Sequence, residues 1–106
     1  MDAVTLYSTW PTLDSAAAAA RTLVEQRLIA CANILPGAVS VFRWEGEVQR
    51  EDEVLMFAKT SARRATEARD AIIKLHPYSV PCVTAFAIVE TASASAFLDW
   101  IAKETS

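Results

Sequence analysis

Residues 29–60 constrain the fold of this chain more than any other stretch. They read as one long β-hairpin. Its turn is Glu45-Gly46, where the glycine accepts positive φ. The first arm runs from Ala30 to Trp44 and is interrupted at Pro36-Gly37. The second runs from Glu47 to Thr60 and ends in the apolar run Val54-Leu55-Met56-Phe57-Ala58. Each arm holds about 14 residues and, at about 3.3 Å per residue, spans about 45 Å. A domain of this size has a radius of gyration of about 13 Å and a diameter of roughly 35 Å. The hairpin is therefore predicted to overhang its own domain, with Phe42 and Trp44 near its tip. An isolated hairpin is marginal in water, so this tip calls for a neighbouring subunit.

The elements around the hairpin follow from period and punctuation. Residues 3–9 alternate, with Val4, Leu6 and Ser8 on one face and Thr5, Tyr7 and Thr9 on the other, as in a strand. Trp10-Pro11 breaks it, and Thr12 caps a helix whose buried stripe is Ala16, Ala20, Leu23, Val24 and Leu28. Ser61 caps a second helix, Ala62 to Leu75, with Ala65, Ala68, Ile72 and Leu75 facing inward, and His76-Pro77 ends it. Cys82 to Glu90 is apolar on both faces, which predicts a central strand. Ser95 caps a last helix carrying Phe97, Leu98, Trp100 and Ile101. The order is βαββαβ plus a terminal helix. That predicts one α+β domain over residues 1–106, ferredoxin-like, with an antiparallel sheet and two helices on one face.

Composition narrows the function classes. A hydrophobic fraction of 53% with 22% charged residues excludes disorder. A net charge of -3 argues against nucleic acid as the main partner. No apolar run approaches the roughly 20 residues of a membrane helix. The opening Met-Asp-Ala-Val lacks the basic start of a signal peptide, and two cysteines suit a reducing compartment. These features predict a cytoplasmic protein without a membrane partner.

Few residues carry chemistry. The first loop, Ser8-Thr9-Trp10-Pro11-Thr12, lacks the Cys-x-x-Cys of a copper chaperone, and the strand Val54 to Thr60 lacks the stacking aromatics of an RNA-recognition module. No phosphate-binding glycine loop or nucleophile elbow is present. His76 is the sole histidine; a helix C-terminus favours it on dipole grounds alone. Cys31 reads as a small core residue or as a thiolate ligand, and so does Cys82 after Pro81. The cluster Glu45, Glu47, Glu51, Asp52 and Glu53 reads as a solvated edge that resists strand addition, or as a face opposite the basic residues of another subunit's second helix. Lys59 is either a snorkelling lysine or an anion-binding group.

Four segments together resemble the CutA family of divalent-cation tolerance proteins. They are Leu28-Ile29-Ala30-Cys31-Ala32-Asn33-Ile34-Leu35-Pro36-Gly37, Trp44-Glu45-Gly46, Glu53-Val54 through Lys59-Thr60, and His76-Pro77-Tyr78-Ser79-Val80-Pro81. The resemblance runs from the first strand to Trp100. It implies a homotrimer whose hairpins pair across subunits, an architecture related to the PII signalling proteins, and a link to copper tolerance and copper binding without enzymatic activity. It also implies an inter-subunit cleft that gathers Cys31, Trp44, Glu53, Lys59, His76 and Tyr78. Two positions depart from the family pattern. Cys82 stands where many members have an acidic residue, and Ser8 where some have a cysteine.

The expected function is thus a trimeric protein that binds metal ions, copper first, through Cys31, His76 and Cys82. The alternative is a PII-like sensor of a small anionic metabolite, held at the inter-subunit cleft by Lys59 and backbone amides.

Overall fold

Thr12 opens the first helix as predicted: its side chain accepts a hydrogen bond from the Ser15 N–H at 3.1 Å. In the computed structural model, which describes residues 2–106, the elements follow the expected order. They are β1 (Ala3–Trp10), α1 (Leu13–Glu25), β2 (Cys31–Trp44), β3 (Glu47–Ser61), α2 (Ala62–Leu75), β4 (Val83–Ala87) and α3 (Ser95–Glu104), with a 3-10 turn at Glu90–Ala92 before α3. The sheet order is β2-β3-β1-β4, and every neighbouring pair is antiparallel. This is the ferredoxin-like arrangement.

α1 and α2 cover one face of the sheet. Under them lie Leu6 and Trp10 of β1 and Val54, Met56 and Ala58 of β3, packed against Ala16, Ala19, Ala20, Leu23, Ala68 and Ile72. The alanines let α1 approach the strands closely. α3 packs at one end of the sheet, where Ile101 meets Ala3 and Ala30. Arginine side chains hold the end of α3: Arg27 donates to the Lys103 carbonyl at 2.9 Å, and Arg63 and Arg64 both donate to the Thr105 carbonyl at 3.0 Å.

β2 and β3 form the predicted hairpin. Glu45 and Gly46 both have positive φ, 51° and 83°, as a two-residue turn matched to strand twist requires. The Pro36-Gly37 interruption is a β-bulge: Leu35 pairs with Leu55, but the next paired residue, Ala38, faces Glu53. Gly37 takes φ 93° there. The extra residue reverses the alternation of β2, so Cys31, Asn33 and Leu35 share a face with Ala38, Ser40, Phe42 and Trp44. The molecule is 44 Å long, and its radius of gyration is 14.3 Å, above the roughly 13 Å of a compact domain of this length. The projecting hairpin accounts for the difference.

Several expectations are corrected. β4 is an edge strand, not a central one. Val83 packs against the helix-covered core, while Phe86, on the opposite face, is exposed. Val24 and Leu75 are exposed rather than inward, while Ala19 joins the buried stripe of α1. Ser61 occupies the cap position of α2, but its hydroxyl bonds the Thr105 hydroxyl at 3.0 Å instead of a helix N–H. Ala94, not Ser95, precedes α3.

Candidate functional site

Residues directly opposite in a ladder point to the same side of the sheet. The face away from α1 and α2 therefore carries Thr5, Tyr7 and Thr9 of β1 beside Lys59, Phe57 and Leu55 of β3. Tyr7 is flanked by Phe57 and Phe86, with ring centroids 5.3 Å and 5.9 Å away. Toward the hairpin tip this open face becomes a cleft of about 620 Å³. Its strand wall is Tyr7 and Thr9 of β1, Ser40, Phe42 and Trp44 of β2, and Glu51 and Glu53 of β3. Its other wall is the segment after α2, with Tyr78, Ser79, Val80 and Cys82.

The cleft is electronegative. Among the described residues no lysine, arginine or histidine lines it. Glu53 is 9% exposed and forms no salt bridge among the described residues. Burial raises the Tyr78 phenol above its ordinary pKa, and the charges of Glu53 and Glu51 and a hydrogen bond to Glu53 add to the rise. Burial likewise raises Tyr7, assisted by the charges of Cys82 and Glu53. Both phenols are therefore neutral at physiological pH.

His76 stands behind the cleft as a positioning group. The Tyr78 backbone N–H, which can only donate, bonds His76 Nδ1 at 3.1 Å. That nitrogen is therefore the acceptor, and the neutral ring carries its proton on Nε2, where it donates to the Thr9 carbonyl at 2.7 Å. The ring is 7% exposed and lies between Trp10, at 4.2 Å, and Tyr78, at 4.9 Å. Both of its nitrogens are thus committed to fixing the segment that carries Tyr78 against β1.

The remaining candidates lie elsewhere. Cys31 is half-buried opposite Lys59, away from the cleft lining. Burial raises its pKa and Lys59 only partly offsets this, so the thiol form dominates at neutral pH. The Lys59 ammonium donates to Asn33 Oδ1 and, at 3.4 Å, to the Phe57 carbonyl. Cys82 is exposed at the cleft rim. The structure thus brings Trp44, Glu53, Tyr78 and Cys82 together and leaves Cys31 and Lys59 apart. Cys31 and Cys82 sit on opposite edges of the sheet, three strand spacings or about 14 Å apart across the strands alone. Among the described residues no group of three His, Cys, Asp or Glu gathers at ligating distance. Cys31, His76 and Cys82 therefore do not fit a shared metal ion within one chain. Sequence reasoning missed Tyr7, Thr9, Ser40, Phe42 and Glu51 as cleft residues. Alternation around the Gly37 bulge was the signal for the hairpin members.

Fold and cleft define a ferredoxin-like α+β protein with an overlong hairpin and an acidic, aromatic cleft on its open face. Residues 4–104 match the family described as CutA1 divalent ion tolerance protein. The chain belongs to that family. It is 39% identical over 97 residues to the divalent-cation tolerance protein CutA of Thermus thermophilus, covering 92% of each chain. It is 38% identical over 96 residues to the protein of the same name from Archaeoglobus fulgidus, covering 91% of each. The crystal structure of CutA from Xylella fastidiosa superposes over 100% of both chains with a TM-score of 0.94 at 36% identity.

Proposed function

We propose that this divalent-cation tolerance protein works as a cytoplasmic homotrimer that binds metal ions, copper first, at sites shared between subunits. The observation that carries the trimer is the hairpin beyond the core. Val39, Val41 and Val48 are 53%, 68% and 65% exposed, and a second subunit laid along them removes that apolar surface from water. Cyclic closure by three subunits also occupies the open sheet edges. Family membership supports the metal. The separation of Cys31 from Cys82 supports sharing, because a soft ion wants more than one thiolate and a single chain offers one at each place.

An anionic metabolite is the poorer fit. The charged groups lining the cleft are Glu51 and Glu53, and Lys59 is engaged by Asn33. His76 is not free to serve as a general base, since both of its ring nitrogens are bonded.

Light scattering at micromolar concentration should report a trimer; a monomer refutes the assembly. Competition titration of Cu(I) under reducing conditions should show binding by the parent that weakens in Cys31→Ser, in Cys82→Ser or in both. Equal, weak binding by all three proteins refutes thiol ligation.

A further inference from the structure

Past the Gly37 bulge, the projecting hairpin has two faces of opposite character. Cross-strand partners share a face, so the register sorts every side chain. Phe42, Trp44, Glu47, Glu51 and Glu53 lie on the cleft face. Val39, Val41, Arg43, Val48 and Arg50 lie on the opposite face, with Asp52 at its root end. The cleft face thus joins aromatic rings to negative charge, and the other face joins exposed valines to the arginines of the hairpin. Among the described residues neither Arg43 nor Arg50 forms a salt bridge, and neither do the three glutamates. The Tyr78 hydrogen bond to Glu53 comes from a neutral phenol and leaves the carboxylate charge in place.

Charge decides how a second copy can cover these surfaces. A two-fold contact lays a patch on its own copy. Valine face on valine face sets Arg43 and Arg50 against the same arginines. Cleft face on cleft face sets Glu47 and Glu51 against the same glutamates. Like charges brought together at an interface are penalised. Seating the valine face of one copy on the cleft face of the next avoids both arrangements. It covers the valines with rings and brings arginine to glutamate. Such a head-to-tail contact uses two different patches of each chain. Every copy then has one to give and one to receive, and contacts continue until a ring closes.

On the basis of the homotrimer proposed above, we infer that its ring closes through these two hairpin faces: Val39, Val41 and Val48 of one subunit seat on the cleft of the next, and Arg50 enters that cleft beside Glu51 and Glu53. The cleft of about 620 Å³ is then filled by the neighbour's side chains. Its negative charge is met by a guanidinium that the chain's own fold turns to the opposite face. His76 contributes from behind, because it holds the Tyr78 wall in place through the Tyr78 N–H.

The test exchanges the two charges. The parent is compared with Arg50→Glu, with Glu51→Arg and with the two substitutions combined. Both positions are exposed within the chain, so neither change disturbs its core, and circular dichroism confirms the fold of each variant. Light scattering gives the mass. Native mass spectrometry of isotope-labelled copies mixed with unlabelled ones gives the rate of subunit exchange. Each single substitution sets like charges against each other and should speed exchange at least about tenfold, or leave monomer at micromolar concentration. The combined variant restores an opposite pair with its sign reversed. It should exchange more slowly than either single variant and within about threefold of the parent. A trimeric parent with parent-like exchange in either single variant, or with a combined variant as fast as the single ones, overturns this contact and leaves the trimer standing. A monomeric parent overturns both.

Discussion

At the root of the hairpin, Ala32 and Ile34 of β2 and Met56 and Ala58 of β3 lie against the helix-covered core. Toward the tip, Val39, Val41 and Val48 continue on the same side of the same sheet, yet stand in solvent. The two regions share strand geometry and alternation. They differ in cover. α1 has 13 residues, about 20 Å at about 1.5 Å per residue, against strands of about 45 Å. Alternation therefore states which way a side chain points, while the length of the covering helix decides whether that direction is core or water.

The largest expected effect is at the root. Trp10 is fully buried against His76, and Trp10→Ala is expected to cost about 3–5 kcal/mol, measured by denaturant unfolding. Trp44→Ala asks the same of the tip. Within its own chain Trp44 is 43% exposed, so in the trimer we propose its loss approaches that figure of about 3–5 kcal/mol through burial by a neighbour. An unchanged melting temperature shows instead that the tip is solvated.

A smaller effect is expected where the cleft wall meets β1. His76→Phe keeps a ring beside Trp10 but abandons the Thr9 carbonyl and the Tyr78 N–H. It is expected to cost about 1–3 kcal/mol. Parent-like stability in the same unfolding experiment would mean that ring packing alone matters. The charge-introducing pair Val41→Asp and Val48→Asp should convert trimer to monomer in light scattering while the far-ultraviolet circular dichroism of the root persists. Loss of both signals together would erase the distinction between the regions.

The smallest effect is alkaline. Burial raises Cys31, Tyr7 and Tyr78 in the folded chain. The folded state therefore holds these protons more tightly than the unfolded state. That stability is complete below the ordinary value of 9.0 for the thiol. It declines as pH rises through that value, and further beyond the phenols' 10.0. In Cys31→Ser, a pH series of melting temperatures should lose the earlier part of this decline. A parent curve that is flat or rising above these values contradicts the burial of all three groups.

Much of the fold was legible because its signals are local. Thr12, Pro77 and Glu45-Gly46 punctuate the chain through backbone preferences that hold wherever they occur. The helix boundaries of α2 coincide with the expected ones for this reason. β4 was misplaced because an apolar pattern on both faces cannot distinguish a strand between two neighbours from one that keeps an uncovered face at an edge. The smaller part of the cleft was visible: Trp44, Glu53 and Tyr78 come from motif resemblance, whereas Tyr7 and Glu51 enter only through cross-strand register. His76 was noticed for its rarity as a ligand candidate. Its use is decided by two hydrogen bonds, one of them across 67 residues of chain, which no local pattern encodes.

The tight turn at Glu45-Gly46 has a consequence in time. The longest strand pair in the sheet is closed by its shortest loop, and β-hairpins form in about 1–10 μs. β1 and β4, by contrast, must find each other across most of the chain, and such distant pairings are slow to close. The hairpin is therefore expected to zip before the sheet is complete. In that interval the edge of β2 and the valines of the tip are bare to other newly made chains. Encounter between copies then begins while folding is still under way, and protein concentration becomes a variable of the folding rate as well as of the final state.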